Sequence, residues 1–183
     1  MSRKSDSPRT PGLLPRAARG KHSNTPSLRI GVLGPHNCTE ADYALGVEVG
    51  ERLAEAGATV VCGGLDGMME ASAKGAKSKG GLTVGVLPGE SEEDANAYVD
   101  VAIPTGLGVL RNVLLVSSCD AVIAVRGRYG TLSEIAFALR LGIPVVGLHT
   151  WNLVRDGKTD EGIHIAESPE QAVKSALELA RQQ

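Results

Sequence analysis

The chain has 183 residues, with 19 Lys and Arg against 21 Asp and Glu and a net charge of −2, which is the size of one ordinary domain. Apolar residues make up 42 % and aromatic residues 3 %, so the core has to be built from Val, Ile, Leu and Ala rather than from rings. Cys38, Cys62 and Cys119 are far apart, with no C-x-x-C pair, and the four histidines are scattered; this speaks against a zinc site and a disulfide framework and for buried reduced thiols.

Residues 1–27 carry six Lys or Arg against one Asp, with Ser and Pro and no hydrophobic period. Such a segment predicts a disordered basic tail; a transit peptide or a segment touching an anionic surface are the competing readings. No apolar run approaches the roughly 20 residues that span a bilayer, so the expected place is the cytoplasm.

Residues 28–183 read as a single domain. Nearly continuous apolar runs at Leu28–Leu33, Ala58–Cys62, Leu82–Leu87, Val99–Ile103, Ala121–Val125 and Pro144–His149 predict strands covered on both faces. Helical segments alternate with them. Thr39 and Asp42 predict a capped helix start, Leu45, Val49 and Leu53 share one helical face, and Gly57 ends that helix. Further helices are expected from about Asp66 through Ala76, from Gly106–Leu110 onward, and over Leu132–Leu141. After Trp151 the alternation lapses, leaving a strand near Ile163–Ile165 and a last helix from Pro169 to about Ala180. The fold class expected is α/β, a Rossmann-like doubly wound, mainly parallel sheet with helices on both faces.

In such sheets ligands sit beyond the carboxyl ends of the strands, where glycine loops lead into helix starts and backbone N–H groups favour anions. Three loops qualify: Gly34-Pro35-His36-Asn37, Gly63-Gly64-Leu65-Asp66-Gly67 and Arg126-Gly127-Arg128-Tyr129-Gly130-Thr131. The dinucleotide pattern G-x-G-x-x-G and the phosphate loop G-x-x-x-x-G-K-[S/T] are both absent, which excludes the common oxidoreductase and nucleoside-triphosphatase classes. Arg111 falls in the first turn of its predicted helix, where a cation opposes the helix dipole unless an anion lies beside it; a surface ion pair is the simpler reading. Thr131-x-x-Glu134 has the spacing of a capping box, while the same carboxylate could face the ligand edge. Tyr129 is the ring nearest the main loop for stacking a base.

Gly63-Gly64-x-x-Gly67-Met68-Met69, Arg111-Asn112 and Gly130-Thr131-x-x-Glu134 resemble the Lonely Guy superfamily, long misnamed lysine decarboxylases, whose best-known members are cytokinin-nucleotide phosphoribohydrolases. Gly67 to Ala71, Pro104-Thr105-Gly106-Leu107-Gly108 and Gly130 to Glu134 are more similar to its molybdenum cofactor carrier protein branch. The resemblance covers about residues 29–150. It implies Glu134 and Arg111 as catalytic or anchoring groups. Together with the three loops it gives Gly34, Gly63, Gly64, Gly67, Met68, Asn112, Arg126, Gly127, Arg128, Gly130 and Thr131 as the candidate phosphate and ligand edge. It also implies a homodimer or homotetramer. Where the family has small residues, this chain has Arg126 and Arg128 around Gly127, so the arginines either clamp further ligand oxygens or fill the nucleotide slot.

The expected partner is a small phosphorylated ligand, not nucleic acid or a membrane. No resident cofactor or metal is required, although molybdenum cofactor is a candidate cargo. Three functions remain open. One is a carrier or sensor of a nucleotide or molybdopterin-type cofactor. Another is a nucleoside 5′-monophosphate phosphoribohydrolase, with Glu134 supporting an oxocarbenium-like sugar but no second acid in view for the leaving base. The third is an interaction protein with a vestigial site.

Overall fold

Strands that are apolar on both faces need a helical layer on each side, and the chain supplies both. A computed structural model describes residues 27–183. The expected basic tail thus lies outside the described residues except for Ser27, whose hydroxyl donates to the Gly57 carbonyl at 2.7 Å. The elements run β1 (Arg29–Leu33), α1 (Glu40–Glu55), β2 (Thr59–Cys62), α2 (Met68–Ser78), β3 (Thr83–Leu87), β4 (Val101–Pro104), α3 (Arg111–Ser117), β5 (Ala121–Val125), α4 (Tyr129–Arg140) and β6 (Val145–Leu148). A small hairpin, β7 (Val154–Arg155) and β8 (Lys158–Thr159), precedes β9 (Ile163–Ala166) and α5 (Pro169–Arg181).

Seven strands form one parallel sheet in the order β4-β3-β2-β1-β5-β6-β9. The chain works outward from β1 to β4, then returns to β5 on the other side of β1 and works outward again. A crevice therefore opens between the carboxyl ends of β1 and β5, where the winding reverses. Alternate strand residues feed two cores. Ile30, Val32, Val60 and Ile123 pack with Val49, Leu53 and Met68 and with Val173 and Leu177 of α5. Leu33, Val61 and Val122 pack on the other face with Leu115 of α3 and Ile135 of α4. Among the described residues no helix is long and apolar enough to cross a membrane.

Two expectations need correction. The Val99–Ile103 run does not form a strand buried on both faces. β4 is an edge strand, and Val101 and Ile103 remain about half exposed because the short α3 does not reach over it. The hairpin after Trp151 was not anticipated. Its turn residues Asp156 and Gly157 both take positive φ, the geometry that closes a two-residue hairpin.

α1 and α2 meet through glycine. A Cβ on Gly50 would sit 2.0 Å from the Ser72 carbonyl oxygen, and one on Gly75 would sit 2.0 Å from that of Val47. Both obstacles are backbone, so neither can swing aside. Gly50→Ala is expected to lower stability by about 1–3 kcal/mol despite alanine's better helix propensity, read as a lower urea midpoint with unchanged slope.

Candidate functional site

The three glycine loops do converge at the reversal crevice, and each does so through different atoms. The loop after β1 is held to the start of α2 by the Met68 N–H, which donates to the Pro35 carbonyl at 3.0 Å. The Met68 side chain is fully buried beneath Gly34 and Gly46. It props the loop from the core side, and as a ligand contact it is corrected by that burial. Gly63 lies under the guanidinium of Arg111, where a Cβ would come within 2.5 Å of Nη2. Its role is room for that arginine.

α4 begins at Tyr129 rather than at Leu132, with Arg128 as its N-cap residue and no side chain capping its first turn. Gly130 and Thr131 therefore lie inside the first turn, at the positive end of the helix dipole. The capping-box reading of Glu134 fails for the same reason. Its Oε1 instead accepts from Nη1 of Arg111 at 3.3 Å, and the two side chains are only 10 % and 9 % exposed. Arg111 is thus a buried residue at the start of α3 and not a surface arginine. Its Nε is buried with no hydrogen-bond partner. The neighbouring Asn112 donates to Ser133 Oγ at 2.9 Å, and Ser133 Oγ donates to the Gly130 carbonyl at 2.7 Å, so α3 and α4 are locked together beside the pair.

A cavity of about 460 Å³ opens over this pair. Of the residues expected from sequence, Gly34, Arg111, Asn112, Arg128, Gly130, Thr131 and Glu134 line it. Gly63, Gly64, Gly67, Met68, Arg126 and Gly127 do not, and they act behind or beside it. The wall also includes His36, Asn37, Met69 and Pro88. The first three stand next to the glycine motifs, whereas nothing in the local sequence of Pro88 marks it.

The two loop arginines separate. Arg126 has φ of 55° and sends Nε to Asp42 Oδ1 of α1 at 2.7 Å, away from the cavity. That contact holds the Asp42 carboxyl below its usual range. Only Arg128 faces the cavity. Tyr129 is 81 % exposed and lies beside Trp151, with ring centroids 5.8 Å apart. Cys62 and Cys119 are buried, and burial pushes the Cys62 thiol up to about 11, so it stays protonated. Among the described residues no group of His, Cys, Asp and Glu is arranged to hold a metal ion.

Burial acts on both partners of the central pair. It pushes Glu134 up to about 7, outweighing the pull of Arg111, and it pushes Arg111 down against the opposing charge of Glu134. A carboxyl raised in the folded state favours the fold when protonated. Its contribution is full below about 4.5, the unfolded value, and is lost as pH rises through about 7. Urea denaturation from pH 4.5 to 8 is expected to show a loss on the order of 3 kcal/mol from this group. Glu134→Gln should remove that slope.

A doubly wound parallel sheet with a cavity at its reversal point defines a Rossmann-like α/β protein. The chain belongs to the SLOG cluster4 family, whose model matches residues 27–173. It is 47 % identical over 150 residues to a protein of Archaeoglobus fulgidus described as uncharacterized, covering 82 % of this chain and 95 % of that one. Among solved structures it is similar to the molybdenum cofactor binding protein from Rippkaea orientalis, at 34 % identity and TM-score 0.77 over 85 % of this chain and 99 % of that one. The Moco carrier protein from Chlamydomonas reinhardtii matches at 31 % identity and TM-score 0.75, over 86 % and 100 % of the two chains. DNA processing protein A from Helicobacter pylori, at 18 % identity and TM-score 0.61 over 82 % and 80 %, shares the fold alone.

Proposed function

We propose that the protein is a carrier that holds a small phosphorylated cofactor of the molybdenum-cofactor kind, its phosphate lying against Arg111. The observation that carries this reading is the buried guanidinium at the cavity floor with an unpartnered Nε–H. A buried cation with a spare donor is costly, and an oxygen-rich anion offsets that cost with charge-assisted hydrogen bonds. Arg128 and the first turn of α4, with Gly130 and Thr131, supply further positive potential on the same wall. The molybdenum cofactor binding and carrier proteins that this chain resembles over nearly their whole length support the choice of cargo.

One observation favours a second reading, hydrolysis of a nucleoside 5′-monophosphate to the free base. Glu134 faces the cavity with its carboxyl pushed up to about 7, in the range where a general acid or base works best. No second carboxyl lines the cavity, so protonation of the leaving base would fall to the imidazole of His36.

One experiment separates these readings. Thermal unfolding is followed with a pterin phosphate, adenosine monophosphate and free phosphate, and the nucleotide samples are assayed for released base. A ligand at 100 times its Kd stabilises the fold by about 2.7 kcal/mol. The carrier reading expects the pterin phosphate to do so with no base released, and Arg111→Gln to weaken binding roughly 10- to 100-fold. Base release that Glu134→Gln abolishes while binding persists would establish the hydrolase instead. No stabilisation by any probe would leave an interaction protein with a vestigial site.

Self-association completes the proposal. Val109 is 82 % exposed, Leu110 68 % and Leu114 45 %, forming an apolar strip along the start of α3 and the mouth of the cavity. Such a strip suits a homodimer or homotetramer contact beside the site. Light scattering should give a dimer or tetramer, and Leu110→Asp combined with Leu114→Asp should give a folded monomer.

A further inference from the structure

The chain has one Trp, three Tyr and one Phe, so rings are scarce. Two of these five meet at the carboxyl edge of the sheet: Tyr129, at the start of α4, and Trp151, after β6. Trp151 also borders a second, shallower cavity of about 400 Å³, which it lines with Arg126, Gly127, His149, Thr150 and Asn152. The backbone that frames this cavity is fixed and strained. Arg126 and His149 directly follow the adjacent strands β5 and β6 with φ of 55° and 54°, in the left-handed region that side-chain-bearing residues rarely adopt. The Arg126 N–H donates to the Leu148 carbonyl at 3.0 Å, and the Thr150 hydroxyl donates to the Arg126 carbonyl, tying the two strand ends together.

The two cavities are separated by a single stretch of chain. Gly127 lines the second, and Arg128 and Gly130 line the first, with Tyr129 between them. Gly127 has no side chain of its own, and the Thr131 side chain packs against the position a Cβ would take there. Arg126, on the wall of the second cavity, is held by Asp42. Gly127 of the second cavity and Arg128 of the first are consecutive residues, so the two cavities adjoin along this stretch.

We propose that the Tyr129–Trp151 pair and the adjoining cavity form a second subsite, which receives the planar heteroaromatic ring of the phosphorylated ligand. This rests on the phosphate site proposed above. Tyr129 supplies an exposed face for stacking. The amide of Asn152, the imidazole of His149 and the hydroxyl of Thr150 supply donors and acceptors for the heterocycle's polar edge. The subsite therefore selects ring-bearing phosphates, nucleotides and pterins alike, over sugar phosphates.

Trp151 is the sole tryptophan, so its fluorescence reports on this subsite alone. Adenosine monophosphate, 6-hydroxymethylpterin phosphate and ribose 5-phosphate are titrated by calorimetry and by tryptophan emission. The ring-bearing probes are expected to bind at least tenfold more tightly than ribose 5-phosphate and to change the emission, which ribose 5-phosphate leaves untouched. Tyr129→Ala, at a largely exposed position that the fold does not need, should weaken the ring-bearing probes roughly 5- to 100-fold and spare ribose 5-phosphate. Tyr129→Phe should retain their affinity. Ring-bearing probes that bind no better than ribose 5-phosphate, or a Tyr129→Ala loss shared equally by all three, would overturn the subsite and leave the phosphate site standing. Absence of binding by all three would overturn the phosphate site, and the ring subsite with it.

Discussion

The Arg111–Glu134 pair is the constraint around which the carboxyl edge of the sheet is organised. Two charges removed from water cost several kcal/mol each, and a single contact at 3.3 Å with a spare Nε–H does not repay that cost in full. Much of the local sequence serves this one interaction. Gly63 leaves room under the guanidinium, Asn112 and Ser133 lock α3 against α4, and the uncapped first turn of α4 points its dipole at the same space. A protein that kept such a pair only for stability would do better with apolar residues of the same volume. The anionic ligand proposed for this cavity would give the arrangement its reason.

The loop arginines show how one neighbouring charge divides two similar residues. Arg126 and Arg128 stand two residues apart. Asp42 on α1 draws Arg126 out of the crevice, and the N-cap geometry of α4 turns Arg128 into it. The cavity keeps one extra cation, Arg128, on its wall. A tilted pair of rings, Tyr129 and Trp151, lies at the start of the same helix. The proposed phosphate site and the proposed ring subsite share the carboxyl edge of the sheet.

The edge strand and α3 belong to the same picture. Because α3 has only seven residues, it leaves β4 and its own outer face uncovered, and several apolar side chains between Val101 and Leu114 are exposed, with Val109 on the cavity wall. That stretch has Arg111 as its only charge, and Arg111 is buried. The short helix that positions the central arginine also creates the surface suited to a second copy of the chain.

Most of the order of strands and helices was legible in the sequence because continuous Val, Ile, Leu and Ala runs favour helix-covered parallel strands, the half-exposed edge strand β4 and the β7–β8 hairpin being the exceptions. The glycine loops were legible too, since their spacing is local. Contacts between distant segments were not. Nothing near Glu134 says that its partner is Arg111, twenty-three positions earlier, rather than the helix start that the Thr-x-x-Glu spacing suggests. Nothing near Met68 distinguishes a ligand residue from a core prop, and nothing near Trp151 announces Tyr129 as its neighbour. The sequence by itself determined the elements, their α/β class and the edge at which chemistry gathers, because propensity and period act over a few residues. Only the tertiary structure decided which charges are buried together, which loop arginine faces the cavity and which strand is left at the edge, because burial and Coulomb energy depend on what packing brings near, however far apart it lies along the chain.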